Sequence, residues 1–326
     1  STAAPLIRSS PQAPASPPVL AAFETDPPVL TAEDWTRRRA PLLRAAFERE
    51  VYGPAPFELK GRLVDRRVAA EDFHGGVLEE LRIAAGSAPD APIFHLAVAY
   101  PASASPERPA PLIIWEIFCG NIGAMDAEAL SEPVNGVSCR NEGAMAAVIR
   151  LIFGKHIIEA PVETILARGY AFATLFPGEV VADSAAGAPA GLARVGAQLP
   201  PDRRPTGALA VWAAEFAWAI DVLDADPRID PARTAAFGHS RQGKAALLAA
   251  AFDPRIEAVL PLQAGKGGTT LTRSYAGESV RQITDSYGFW FAPAYAAYAG
   301  REAEIPVDQH QLIALVAPRA VHLGNG

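Results

Sequence analysis

Cysteine, methionine and histidine are scarce in this chain of 326 residues, with two, two and six copies. Two cysteines, Cys119 and Cys139, cannot build a disulfide scaffold, and without several further ligands they make no zinc site; a single bridge is the most they allow. No apolar run reaches the roughly 18 residues that a membrane-spanning helix needs. Positive charge is also short: 29 Lys+Arg stand against 36 Asp+Glu, for a net charge of −7 and a pI near 5.5. That balance argues against nucleic acid and against an anionic membrane surface as partners. No G-x-x-x-x-G-K-[ST] phosphate loop and no internal repeat is present. The chain opens Ser-Thr-Ala-Ala, with no methionine, basic region or apolar region, as if a secretion signal had been removed.

With 50% hydrophobic and 20% charged residues, the chain is long enough for one large core. Residues 1–30 carry Pro5, Pro11, Pro14, Pro17, Pro18, Pro27 and Pro28 among Ala and Ser, a composition that favours an extended arm strapped along a domain. From residue 31 a single domain is expected. Thr31 as N-cap, with Glu33 and Asp34 in the first turn, starts a helix running through Leu42, Leu43, Ala46 and Phe47 toward Gly53. Residues 76–84, 92–100 and 110–118 read as strands entering a sheet in antiparallel fashion. The rhythm then becomes α/β: a helix over 162–167, a strand over 170–176, and a helix over 208–223 with Leu209, Trp212, Phe216, Ile220 and Leu223 on one face. Strands over 233–237, 258–262 and 320–323 complete the series. Alternation of this kind predicts a largely parallel sheet with helices on both faces, an α/β three-layer sandwich whose ligands bind beyond the carboxyl ends of the strands. The irregular stretches 119–160 and 184–206 are candidate walls of a cleft, or plain surface insertions.

The densest signal is Ala235-Ala236-Phe237-Gly238-His239-Ser240-Arg241-Gln242-Gly243-Lys244, a short apolar strand that turns through a serine into an apolar helix. A hydrolase presents its nucleophile on such a turn, with the backbone N–H of the next residue, here Arg241, aimed at the developing oxyanion. The spacing is G-x-S-x-x-G, with Gln242 where the usual second glycine falls. A serine that merely caps a helix would look the same in these few residues.

These residues resemble the glucuronoyl esterases, carbohydrate esterase family 15 of the α/β-hydrolase superfamily, whose nucleophile segment reads G-C-S-R-x-G-K. Gly238 to Lys244 matches it at every position but the second. The resemblance continues through Asp253-Pro254-Arg255-Ile256, the Leu260 to Gly268 segment, Gly277-Glu278-Ser279-Val280, Trp290-Phe291 and Asp308 to Arg319. Upstream it includes Trp35 with Arg38, Val51-Tyr52-Gly53 and Ala167 to Tyr170, so that it covers about residues 31–326.

The resemblance implies hydrolysis of the ester joining (4-O-methyl-)glucuronic acid of glucuronoxylan to a lignin alcohol, by a secreted or periplasmic monomer with no cofactor. It implies Ser240 as nucleophile, Arg241 at the oxyanion, and Lys244, Glu278, Arg281, Gln282 and Trp290 around the sugar. Against these stand plainer readings: a surface or ion-paired Arg241 and Lys244, and a Trp290 that is simply core. The Gly265, Gly267, Gly268 loop reads as close backbone packing. Two departures stand out. Gln263 occupies the place where many members carry the triad acid, and glutamine cannot balance an imidazolium. The family's catalytic histidine comes later than the segment resembling Val321 to Gly326, so base and acid are expected on polypeptide beyond Gly326, the domain here lacking its C-terminal part. His310 is the internal alternative, while His95, His239 and His322 read as structural. Another carbohydrate ester, acetyl or feruloyl, and a non-catalytic carbohydrate-binding relative are the competing functions.

Overall fold

A computed structural model describes residues 14–134, 160–275 and 277–324. Eight strands form one sheet: β1 (Gly61–Phe73), β2 (Gly76–Ala85), β3 (Ile93–Pro101), β4 (Ala110–Glu116), β5 (Ala171–Leu175), β6 (Ile229–His239), β7 (Ile256–Leu262) and β8 (Ala320–Val321). Their order is β1-β2-β3-β5-β4-β6-β7-β8. The pairs β1–β2, β2–β3 and β3–β5 are antiparallel, and from β5 onward every neighbour is parallel. The antiparallel entry therefore holds for residues 76–84 and 92–100 but not for 110–118. β5 inserts between β3 and β4, which places β4 in the parallel half. β1 carried no sequence signal because most of it faces solvent, and an edge strand wet on both faces need not alternate.

The first helix begins as expected, with Thr31 and Asp34 forming a reciprocal capping box, and it continues through two π-wound stretches, Trp35–Arg39 and Glu48–Tyr52. The helix Ala208–Leu223 matches its predicted bounds, but not its predicted one-sided burial: of its sixteen residues only Asp221 escapes burial. It packs against β1, β2 and the helix that follows β6, so apolar partners surround it. The 184–206 stretch contains a helix, Ala188–Gly196, and a short turn, Pro201–Arg203; most of the 119–160 stretch lies outside the described residues. No helix among the described residues is long and apolar enough to cross a membrane.

The arm is tied down from its described start. Arg39, fully buried, donates to the Asp26 carboxylate and to the carbonyls of Val19 and Pro27, while Phe23 is buried beneath it. Cys119 is disulfide-bonded; Cys139 lies outside the described residues.

Candidate active site

β6 ends at His239, and Ser240 follows with φ 56° and ψ −119°, a conformation that costs a non-glycine residue on the order of 1–3 kcal/mol. The helix Arg241–Phe252 starts immediately after it. Ser240 occupies the N-cap position, yet its side chain makes no capping hydrogen bond. The plain reading of a capping serine is thereby removed: the backbone is strained and the hydroxyl is left unspent. The turn is held by main-chain bonds, Ser240 N–H to the Leu262 carbonyl at 2.8 Å and Lys244 N–H to the Ser240 carbonyl at 3.1 Å.

The unusual glycine spacing has a steric cause. A Cβ on Gly238 would lie 2.2 Å from the Gln242 carbonyl oxygen, so the strand end and the first helical turn touch backbone to backbone. Gly243, one residue later than in the usual pentapeptide, is the point where that helix passes the Leu262 carbonyl and Ala264. Gln242 is buried in between.

Arg241 does not project freely. Its guanidinium forms an ion pair with Asp183 and lies 5.1 Å from the Trp290 ring centroid, 5.4 Å from Phe118 and 5.9 Å from Tyr287. Asp183 also accepts a 2.8 Å hydrogen bond from Trp290 Nε1, and Tyr287 stacks on Trp290 at 4.0 Å, nearly parallel. The Arg241 Nε is buried with no partner among the described residues. One carboxylate thus ties the start of the elbow helix to an aromatic wall.

Lys244, one turn along, donates to the Ala264 carbonyl at 2.5 Å and lies 6.0 Å from the Trp290 centroid. Burial lowers its pKa to about 8, with Arg241 acting in the same sense and the Glu278 carboxylate opposing. Glu278 itself is exposed and lines a cavity of about 350 Å³ with Lys266, Thr272, Arg273 and Arg301. Two other expected sugar contacts, Gln282 and Arg281, are exposed side chains that each make a local bond. Gln282 closes a capping box with Ser279, and Arg281 lies 3.4 Å from the Ala299 carbonyl. Sequence reasoning brought Ser240, Arg241, Lys244 and Trp290 to one place; Asp183 and Tyr287 were missed.

Three of the described histidines have side-chain hydrogen-bond partners of their own. His310 Nε2 lies 2.7 Å from the Pro17 carbonyl and holds the arm. His239 Nε2 lies 2.5 Å from Gln263 Oε1 and its ring meets Phe118 edge-on, while Gln263 itself has a left-handed φ of 46°. His95 bonds Glu179 at 2.9 Å, and that bond, partly offset by burial, raises its pKa. The glycine-rich loop packs closely: a Cβ on Gly267 or Gly268 would strike Phe291 or Ala264. Lys266 within it is spent on the carbonyls of Leu271, Thr272 and Ser274. Among the described residues no cluster of His, Cys, Asp or Glu is arranged to hold a metal ion.

A largely parallel sheet carrying a strained strand-serine-helix turn at the carboxyl end of an inner strand defines an α/β-hydrolase. Within that class, the profile of a family described as "Glucuronyl esterase, fungi" matches residues 140–326. The chain belongs to the glucuronoyl esterase family. A structure of a glucuronoyl esterase from Solibacter usitatus superposes with a TM-score of 0.79 at 30% identity, covering 96% of this chain and 80% of that one. Carbohydrate esterase MZ0003, from an unknown prokaryotic organism, is 29% identical over 91% of this chain and 69% of its own length. A 4-O-methyl-glucuronoyl methylesterase from Podospora anserina is 35% identical over 36% of this chain, a stretch that is 26% of that protein.

Proposed function

We propose that this protein is a serine esterase that hydrolyses esters of glucuronic acid or its 4-O-methyl ether, as found in lignin-carbohydrate links. The observation that carries the reading is Ser240: strained, uncapped, and followed at once by an arginine held over a tryptophan. Ser240 Oγ adds to the uronate carbonyl carbon as its proton passes to a general base. The oxyanion is stabilised by the Arg241 backbone N–H and guanidinium, and Lys244, Glu278 and Trp290 hold the sugar. Collapse expels the alcohol, which takes up that proton, and water then releases the uronate from the serine. Among the described residues no hydrogen bond joins Ser240 to an imidazole, and position 263 is a glutamine. Such a substrate is met outside the cytoplasm, and we read the protein as secreted or periplasmic.

The test is turnover of benzyl glucuronate beside p-nitrophenyl acetate. Ser240→Ala is expected to lower hydrolysis by about 10³-fold or more with an unchanged far-UV CD spectrum and melting temperature, since removing an unspent hydroxyl leaves little cavity. Preference for acetate would transfer the enzyme to acetyl esters. Binding without turnover in the unmodified protein would make it a carbohydrate-binding relative.

A further inference from the structure

Asp183 is absent from every motif in the sequence, yet it holds the two side chains that define the pocket wall, ion-paired to Arg241 and accepting from Trp290 Nε1. Both carboxylate oxygens are thereby committed inward, although the side chain retains 21% of its exposure and Arg241 29%. Both side chains are thus part-exposed, so that a ligand approaching Arg241 meets both charges at once. Given the glucuronate ester reading above, on which this rests, substrate and product differ in one respect at this point: the ester carbonyl is neutral, and the released uronate is an anion. An arginine fork unaccompanied by a carboxylate is a strong carboxylate receptor and would hold the product.

We propose that Asp183 is a specificity-determining residue that biases the site toward the neutral uronate ester and against the free uronate. Its charge balances that of Arg241 in the resting site. The exposed part of the guanidinium keeps donors for a carbonyl and for a transient oxyanion, but an incoming carboxylate must share the cation with one already present. The Trp290 bond fixes the carboxylate so that it cannot swing away to make room. The same arrangement explains why an arginine beside the nucleophile need not trap the acid it helps to form.

The experiment is calorimetric binding of sodium glucuronate and of methyl glucuronate to the Ser240→Ala protein, alone and combined with Asp183→Asn or Asp183→Glu. The quantity read is the ratio of the two dissociation constants, which a merely structural loss would not move. Asp183→Asn is expected to shift the ratio toward glucuronate by about tenfold, and Asp183→Glu, which keeps the charge, to leave it within about threefold. A ratio unchanged in Asp183→Asn overturns the assignment while leaving the esterase reading intact. Failure of both ligands to bind any of the proteins removes both. Should the Asn variant not fold, Arg241→Gln reads the same balance from the other side. It is expected to weaken glucuronate about tenfold more than the ester, and an equal loss for both ligands overturns the assignment.

Discussion

The elbow and the amino ends of the strands treat polar groups in opposite ways. At the amino ends of β4 and β6, Asp226 accepts from Arg228, Arg66 and the Tyr100 hydroxyl, Arg228 also forks onto Glu79, and its guanidinium stacks 3.7 Å over the Tyr100 ring. Each of these charges is matched. At the carboxyl ends, the Arg241 Nε, His239 Nδ1 and Gln242 Oε1 are buried without partners among the described residues, as are both carboxyl oxygens of Glu116 and of Glu215. Ser240 adds backbone strain to the same region. The sheet thus keeps the charged groups of one end matched and leaves the other with unspent donors and acceptors. Unspent groups are what a site needs in order to bind and react, and the stability of the satisfied end offsets their cost.

The largest change should come from breaking the satisfied end. Burial alone would raise the Asp226 carboxyl, but the Arg228 guanidinium and backbone N–H and the Tyr100 hydroxyl outweigh it and hold the group well below the usual carboxylate range. A lowered folded-state pKa means stability present above the unfolded value, near 4, and lost as pH falls below it. Asp226→Asn is expected to lower unfolding free energy at pH 7 by about 3 kcal/mol in urea titration, and to cost less at pH 3. A change below about 0.5 kcal/mol would show that the network is redundant, and the contrast between the two ends would lose its basis.

A second, somewhat smaller effect tests the steric half of the comparison. Gly238→Ala forces a methyl into the Gln242 carbonyl, where nothing flexible can yield, and should cost about 2–3 kcal/mol. Gly243→Ala meets its nearest atoms at 2.9–3.2 Å and should cost roughly half as much. Equal costs in parallel melting curves would mean that the glycine spacing of this elbow is not dictated by the contact at Gly238.

What could be read from the chain follows the same division. The elbow was legible because a strand, a glycine-flanked serine and a helix leave a local pattern, and the helix at 208–223 because its run of helix-forming apolar residues is interrupted only by Glu215 and Asp221 before Asp224. Their environments were not legible. Periodicity cannot distinguish a helix wet on one side from one sheathed all round, which is why the burial of Ala208–Leu223 was misjudged. Asp183 lies 58 residues from Arg241, in an irregular segment, and an isolated aspartate carries no signal of its partner.

The smallest effect expected is also the one with an inverted sign. Glu116, at the end of β4 and paired in register with Gly238, is fully buried, and so is Glu215 on the helix behind it. Burial raises the pKa of both carboxyls, and for Glu215 the nearby Glu116 and Glu179 raise it further. A folded-state pKa above the unfolded value means that the native state holds the proton more tightly. Stability is therefore fully present below the unfolded pKa and declines as pH rises through the folded one. Glu116→Gln keeps the shape and removes the charge, so it should raise unfolding free energy at pH 8 by about 1–2 kcal/mol and change little at pH 4, flattening the alkaline fall. Urea titrations at the two pH values measure this directly. If the variant is instead destabilised at pH 8, the carboxylate has a partner that compensates its burial, and the unsatisfied character of the carboxyl end is confined to Ser240, His239, Arg241 and Gln242.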